Sequence, residues 1–317
     1  MTSSEILRLG SRDSALALVQ TNMVAQELHK RFPNLKLEVE TFKTQGDKIL
    51  DTSLAMVGGK GLFVKELEEA LLDNRIDLAI HSMKDMPADC PSGLKLCSVL
   101  QREDARDVML SCDMTRFSDL EANRVIGTSS LRRETQLKRL RSDLKFEIIR
   151  GNLQTRYRKL FDEPYDAIIL AYAGIKRLNW DSRVSHVFDP WIECVPAPAQ
   201  GILGAQYRQT DLRVQNMIAE LQYPTVEVAQ LAERSVLKGL GASCTTPLGV
   251  YCRPGVKGYE MKAILLSPDQ KSSMIQAELS FGTHDDPVKV GRDLAHQLLA
   301  QGGQAIIDQL NQAFAQK

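Results

Sequence analysis

The chain has 317 residues, enough for two or three domains, and is 43% hydrophobic and 25% charged, the composition of a soluble globular protein with a sizeable core. Forty Lys plus Arg offset forty Asp plus Glu, and this neutrality argues against a histone-like or wholesale nucleic-acid binder, which needs a basic excess. No apolar run reaches the ~18–20 residues that cross a bilayer, and residues 1–11 lack the apolar stretch of a secretory signal.

Strand-like and helix-like patches alternate, which predicts α/β architecture. Residues 6–10 read as a short strand ending in Gly, and Ser14 to about Arg31 reads as a helix with Leu16, Val19, Met23 and Leu28 on one face. Residues 37–42 alternate as a second strand, 63–74 form an amphipathic helix, and 76–80 form a buried strand ending at His81. The pattern restarts with a strand at 124–127, a helix at 130–141, a strand at 146–149, a helix from about Asn152 and a buried strand at 166–171. Parallel sheets with crossover helices fit this order. Two segments read as boundaries: the charged stretch 100–107 and the Pro/Ala/Gly connector 195–201. After Thr225 a helix at 226–240, a Gly/Ser/Cys/Thr/Pro loop, strands near 261–266 and 275–281 and two final helices predict an α+β domain.

Arginine placement is the most informative feature. From Arg132 to Lys159 seven Arg and three Lys face three acids (Glu134, Asp143, Glu147), so ten positive charges less three negative leave +7 in a neutral chain. A solvated basic helix face would account for the charge alone. The positions point further: Thr128, Ser129 and Ser130 lie between a strand end and a helix start, with Arg132 and Arg133 on the first turn, where free N–H groups, hydroxyls and guanidinium forks bind anions. Arg150 to Arg156 repeats the arrangement at the next junction, and Arg12 before Ser14 makes a third. Such junctions face the ligand crevice of an open α/β sheet, so a ligand with several carboxylates or phosphates is expected.

Other motifs are weaker. Gly58-Gly59-Lys60-Gly61 fails as a P-loop, because Leu54 stands where the first Gly belongs and Gly61 where Ser or Thr should follow the lysine. It reads equally as a plain turn or as a loop that brings Lys60 to an anion. His81-Ser82-Met83-Lys84-Asp85-Met86-Pro87 reads as a capped strand end, or as a carboxylate held ionised among cations to stabilise developing positive charge. The six cysteines form no CxxC pair, so neither a disulfide scaffold nor a zinc knuckle is indicated. Cys244 stands among small polar residues that predict accessibility, although most cysteines are inert. His29, His186, His284 and His296 show no metal-ligand spacing.

Together the segments GSRDSALAL (10–18), TQGDKILDTSLAMVGGKGLFVKELE (44–68), IDLAIHSMKDMP (76–87), QREDARDVML (101–110), IGTSSLRRETQL (126–137), RGNLQTR (150–156), DAIILAYAGIKRL (166–178), PAPAQG (196–201) and ERSVLKGLGASCTTPLG (233–249) resemble the porphobilinogen deaminase family, over about the first 250 residues and in the right order. The resemblance implies a cytoplasmic, monomeric transferase of porphyrin and heme biosynthesis, without nucleic-acid or membrane partners. It links four porphobilinogen molecules head to tail with loss of ammonia, then hydrolyses off the linear tetrapyrrole, hydroxymethylbilane. A dipyrromethane cofactor, bound covalently through a thioether, matches Cys244. Asp85 matches the catalytic carboxylate, and Arg12 is a candidate for handling the leaving amine. Lys84, Ser82, Thr128, Ser129, Ser130, Arg132 and Arg133, with Asp85, match cofactor contacts; Arg12, Ser14, Lys60, Arg150, Arg156 and Gln200 match substrate contacts. Each pyrrole carries an acetate and a propionate, which suits permanently charged, forked arginines.

The implied fold has three domains: 1–100 plus 201–222, and 106–195, both resembling type II periplasmic binding proteins, and a smaller α+β domain, 224–317, that carries the cofactor cysteine. Met56 stands where the family usually has Lys, Ala199 where Gly is common, Gln206 where Glu is usual, and Ala242-Ser243 where Gly pairs are frequent. None of these removes a catalytic group. The competing readings are a two-lobed binding protein for polycarboxylates, which a covalent dipyrrole on Cys244 would exclude, and a nucleic-acid-binding regulator using residues 132–159, which steep salt dependence of DNA binding would revive.

Overall fold

The computed structural model describes residues 6–44, 64–243, 246–267 and 274–315. The chain opens with β1 (Ile6–Arg12), α1 (Ala15–Arg31), β2 (Lys36–Phe42), α2 (Lys65–Leu72), β3 (Leu78–Ser82), a 3-10 turn (Met83–Asp85) and β4 (Leu94–Val99). It continues with β5 (Asp107–Ser111), β6 (Val125–Gly127), α3 (Leu131–Leu140), β7 (Lys145–Glu147), α4 (Leu153–Asp162), β8 (Ala167–Ala171), α5 (Tyr172–Arg177) and β9 (His186–Val187). Then follow β10 (Leu203–Arg208), α6 (Leu212–Ala219), α7 (Pro224–Gly239), β11 (Leu248–Gly255), β12 (Gly258–Leu266), β13 (Met274–Phe281), α8 (Pro287–Leu298) and α9 (Gln304–Ala315).

Two five-stranded sheets share one design, β2-β1-β3-β10-β4 and β7-β6-β8-β5-β9, and a three-stranded antiparallel sheet β11-β12-β13 stands beside them. In the first two sheets three strands run parallel through helical crossovers, as the sequence pattern predicts. The expectation of wholly parallel sheets is corrected by β10 and β5, which run antiparallel to their neighbours. Each of these strands enters directly from a segment that crosses between the sheets, so no βαβ crossover sets its direction. Strands β4, β5, β9, β10 and β11 are additional to those that the sequence pattern predicts.

Period-2 alternation sorts β3 between two layers. Leu78 and Ile80 pack with Leu7, Leu9, Val24 and Leu28 under α1, whereas Ala79 packs with Phe42, Leu67, Ala70 and Leu71 under α2. Burying each of the larger side chains contributes about 1.5–3 kcal/mol. The buried stripe of α1 differs from the apolar face expected: it consists of Gln20, Thr21, Val24 and Leu28. Gln20 is tolerated there because its amide exchanges hydrogen bonds with Ser82 Oγ at 3.0 and 3.3 Å.

The two crossing segments are stitched together. Glu103 N donates to Gly201 O (3.2 Å), Arg102 Nε to Gln200 O (2.9 Å) and Arg177 Nη2 to Gly201 O (2.7 Å). Glu233, a fully buried carboxylate on α7, accepts from Arg102 (2.6 and 3.1 Å), Ala199 N (2.5 Å) and Cys252 N (2.7 Å), fastening the third sheet's unit to both crossings. The connector turns through left-handed backbone at Ala199 (φ 60) and Gly201 (φ 89). A Cβ on Gly201 would lie 2.3 Å from the Glu103 carbonyl oxygen, so Gly201→Ala is expected to cost about 1–3 kcal/mol. Chemical denaturation measures it, and a wild-type midpoint would show that the crossings separate without penalty.

Candidate active site

The three arginine-bearing junctions form as strand ends followed by capped helices. Ser14 Oγ accepts from Ala17 N (3.3 Å), Ser130 Oγ from Arg133 N (3.5 Å) and Asn152 Oδ1 from Thr155 N (2.9 Å). Ser130 N in turn donates to Thr128 Oγ1 (3.2 Å), and the Ser129 hydroxyl donates to the Ile149 carbonyl, tying the second junction to the third. Arg12 ends β1 on the first sheet, close enough to His81 to disfavour a proton on that imidazole.

Arg132 and Arg133 are buried and face inward onto Asp107, the first residue of β5. Arg132 Nη1 meets Asp107 Oδ2 at 2.7 Å, and Arg133 meets Oδ1 through Nε (3.0 Å) and Nη2 (2.8 Å). The two guanidiniums hold the Asp107 carboxyl far below the usual range despite its burial. Gln200 completes this centre. It is fully buried; its Nε2 donates to Asp107 Oδ1 (2.9 Å) and Ala105 O (2.7 Å), and its Oε1 accepts from Lys84 Nζ (3.3 Å). Gln200 thus joins the first lobe's Lys84 to the second lobe's Asp107, with both ends of its amide engaged by protein.

Lys84, Arg132, Arg133, Arg150 and Arg156 act electrostatically on one another or on Asp85 and Asp107, so five cations share two carboxylates. Burial lowers Lys84 to about 8, partly offset by Asp85. Burial, with Arg133 and Arg150 nearby, lowers Arg156 to about 10. Arg156 Nε donates to Gly151 O (2.7 Å), while the buried Nε of Arg150 has no hydrogen-bond partner. Two half-buried guanidiniums without an ion-pair partner among the described residues would be stabilised by an incoming polyanion, so the donor set fits a ligand bearing several carboxylates. Asp85 closes the 3-10 turn after β3, half-exposed, within electrostatic reach of Lys84 and Arg156.

The structure therefore brings Lys84, Asp85, Arg132, Arg133, Arg150 and Arg156 together and places Gln200 behind them. Ser82 is tied to Gln20 on the α1 side of β3. Lys60, Met56 and Cys244 lie outside the described residues. Sequence reasoning overlooked Asp107 and Arg177. A lone acid opening the apolar run Val108-Met109-Leu110 was the available signal for Asp107, because a buried carboxylate requires cationic partners. Arg177 gave none: only the fold brings its guanidinium, whose buried Nε is unpartnered, to the crossing at Gly201.

Two mixed α/β lobes joined by a double crossing, with a cation-rich site between them and an appended α+β unit, define a two-lobed protein of three parts whose site has the charge to take an anionic ligand. Sequence comparison resolves the class. Residues 7–216 match the family model "Porphobilinogen deaminase, dipyromethane cofactor binding domain", and residues 228–300 match the model of that enzyme's C-terminal domain. The porphobilinogen deaminase of Gloeobacter violaceus is 44% identical over 312 residues, covering 97% of this chain and 94% of that protein. That of Carboxydothermus hydrogenoformans is 42% identical over 302 residues, covering 95% and 96%. The chain belongs to the porphobilinogen deaminase family. Among solved structures, the OxyR2 regulatory domain from Vibrio vulnificus is 16% identical with a TM-score of 0.44, covering 70% of this chain and 99% of that one. The alkanesulfonate-binding protein SsuA from Xanthomonas axonopodis pv. citri is 13% identical with a TM-score of 0.36, covering 75% of each chain.

Proposed function

We propose that this chain is the transferase that condenses four porphobilinogen molecules head to tail, releasing ammonia at each addition, and then hydrolyses off hydroxymethylbilane. The observation that carries the reading is the pair of half-buried guanidiniums, Arg150 with an enclosed and unpartnered Nε and Arg156 within electrostatic reach of the half-exposed Asp85, neither of which has an ion-pair partner among the described residues. Each porphobilinogen brings two carboxylates, and the growing chain multiplies them. Arg12, Ser14, Lys60, Arg150 and Arg156 would take those carboxylates. Lys84, Ser82, Thr128, Ser129, Ser130, Arg132 and Arg133 would hold a dipyrromethane group anchored on Cys244. When bound, that group supplies the nucleophilic pyrrole end on which units are added.

Asp85 remains an acceptor-only carboxylate beside the pyrrole N–H groups and stabilises the positive charge that develops as ammonia leaves. Arg12 approaches from the same end of the adjacent parallel strand and assists departure of the amine. Arg132 and Arg133, with their forks committed to Asp107, present only their remaining N–H donors, so their aim is set before substrate arrives. Gln200, assigned to substrate by resemblance, acts from behind by holding Lys84 in place.

The catalytic unit divides into residues 1–100 with 201–222, residues 106–195 and residues 224–317. It works as a cytoplasmic monomer with porphobilinogen and the growing chain as its ligands, and neither nucleic acid nor membrane is a partner. Zero net charge supports this reading, as does the fact that no helix among the described residues is long and apolar enough to cross a membrane.

Intact mass of the purified protein beside Cys244→Ser tests the assignment. Wild type is expected to carry two porphobilinogen units less two ammonias, and the variant none. A wild-type protein that stays at its bare sequence mass after incubation with porphobilinogen would sink it.

A further inference from the structure

The described residues contain a buried polar chain that none of the assigned roles uses. Gln206 lies on β10 opposite Ala79 of β3, fully buried, on the sheet face that α2 covers. Its Nε2 is 2.8 Å from Glu68 Oε1 on α2 and 3.4 Å from Cys90 Sγ; its Oε1 is 3.1 Å from His81 Nε2. A carboxylate can only accept, so the amide nitrogen is the end that faces Glu68. The amide oxygen then faces His81 and can also only accept. His81 must therefore carry its proton on Nε2, leaving Nδ1 bare.

The surroundings oppose a second proton. The charged and titratable neighbours are Arg12 from β1, Glu68 from α2 and Cys90 before β4, with Asp89 and Arg234 of α7 beyond the thiol. Burial and Arg12 push His81 down to about 4, and burial pushes Glu68 up. His81 is the penultimate residue of the strand whose end delivers Ser82, Lys84 and Asp85.

We propose that Gln206 is a positioning residue: oriented by Glu68, its amide holds His81 in a single tautomer at the foot of the turn that carries Asp85. The proposal rests on the deaminase reading and adds to it a relay from α2 to that turn. Gln206→Met keeps length and apolar bulk but removes the hydrogen bonds to Glu68, Cys90 and His81. It is expected to lower kcat about tenfold, as a slight misplacement of a catalytic group does, with KM for porphobilinogen within about twofold. Gln206→Glu still offers His81 an acceptor, with one proton shared between the new carboxylate and Glu68, and is expected to restore kcat to within about twofold of wild type.

Nitrogen-15 spectra of histidine-labelled holoenzyme, recorded without substrate, read the tautomer directly. In wild type the His81 proton is expected on Nε2 with no titration from pH ~6 to ~8, where an unperturbed histidine changes charge. A proton on Nδ1, titration in that range, wild-type kcat in Gln206→Met, or equal impairment of the Met and Glu variants would overturn the proposal. Should the Met variant not fold, Gln206→Leu and the spectra decide. Wild-type protein that fails to consume porphobilinogen overturns the deaminase reading and the positioning role with it, while the spectra still report the tautomer.

Discussion

Asp85→Asn is expected to lower kcat by about 10²–10³-fold, the typical loss when one preorganised electrostatic stabiliser of a transition state is removed. The substitution preserves size and suits the turn, and Asp85 is half-exposed after β3, so folding should be unaffected. What changes is charge. The site around it holds Lys84 and Arg156 together with Arg132, Arg133 and Arg150, and Asp85 is the half-exposed negative group among them. Positive charge appearing on a pyrrole in that field would be repelled without the carboxylate. Single-turnover release of ammonia from porphobilinogen measures the effect, and intact mass shows whether the covalent group is retained. A variant with near-normal turnover would remove Asp85 from its assigned role.

Asp107→Asn is expected to act through stability, by about 3–5 kcal/mol, because it strands two buried guanidiniums without a counter-charge. Arg132, Arg133 and Gln200 all converge on this carboxylate. Its pKa is depressed in the folded protein relative to about 3.9 in an unfolded chain. The stabilisation is therefore fully present above the unfolded value and is lost as pH falls below it. Asp77, depressed by Arg8 and Arg208, contributes in the same direction. Urea unfolding at about pH 7 should show the variant far weaker than wild type, and the gap should narrow as pH falls below the unfolded Asp value of about 3.9. An unchanged midpoint at neutral pH would mean that the arginines find other partners.

The two variants separate the jobs of two acids, of which the sequence singles out only Asp85. Asp85 sits in a recognisable run and is the proposed reactive group; Asp107 looks like part of a charged boundary, and Arg132, Arg133 and Gln200 converge on it. Loss of the first should leave the denaturation midpoint in place, and loss of the second should lower it.

Much of the site was legible from local pattern. Ser14, Ser130 and Asn152 each cap a helix three residues before the amide they bind, with Arg132, Arg133 and Arg156 in the first turns and Arg12 and Arg150 just before the caps, so strand end, cap and cation are readable together. The buried face of α1 was not, because Gln20 is inside only by virtue of Ser82, 62 residues away. Nor was the direction of β5 and β10, which arrive from the opposite lobe rather than through a crossover helix. Asp107 meets Arg132 across 25 residues and Gln200 across 93, and Glu233 reaches Arg102 across 131. By itself, then, the sequence determined most of the longer helices, the cationic strand-to-helix junctions and, through resemblance, the family. Tertiary structure decided which charges are spent on the protein and which remain for a ligand. The reason is physical: caps and periodicity act over a few residues of contiguous backbone, whereas the pairing of buried charges depends on which groups lose their water together when distant segments close.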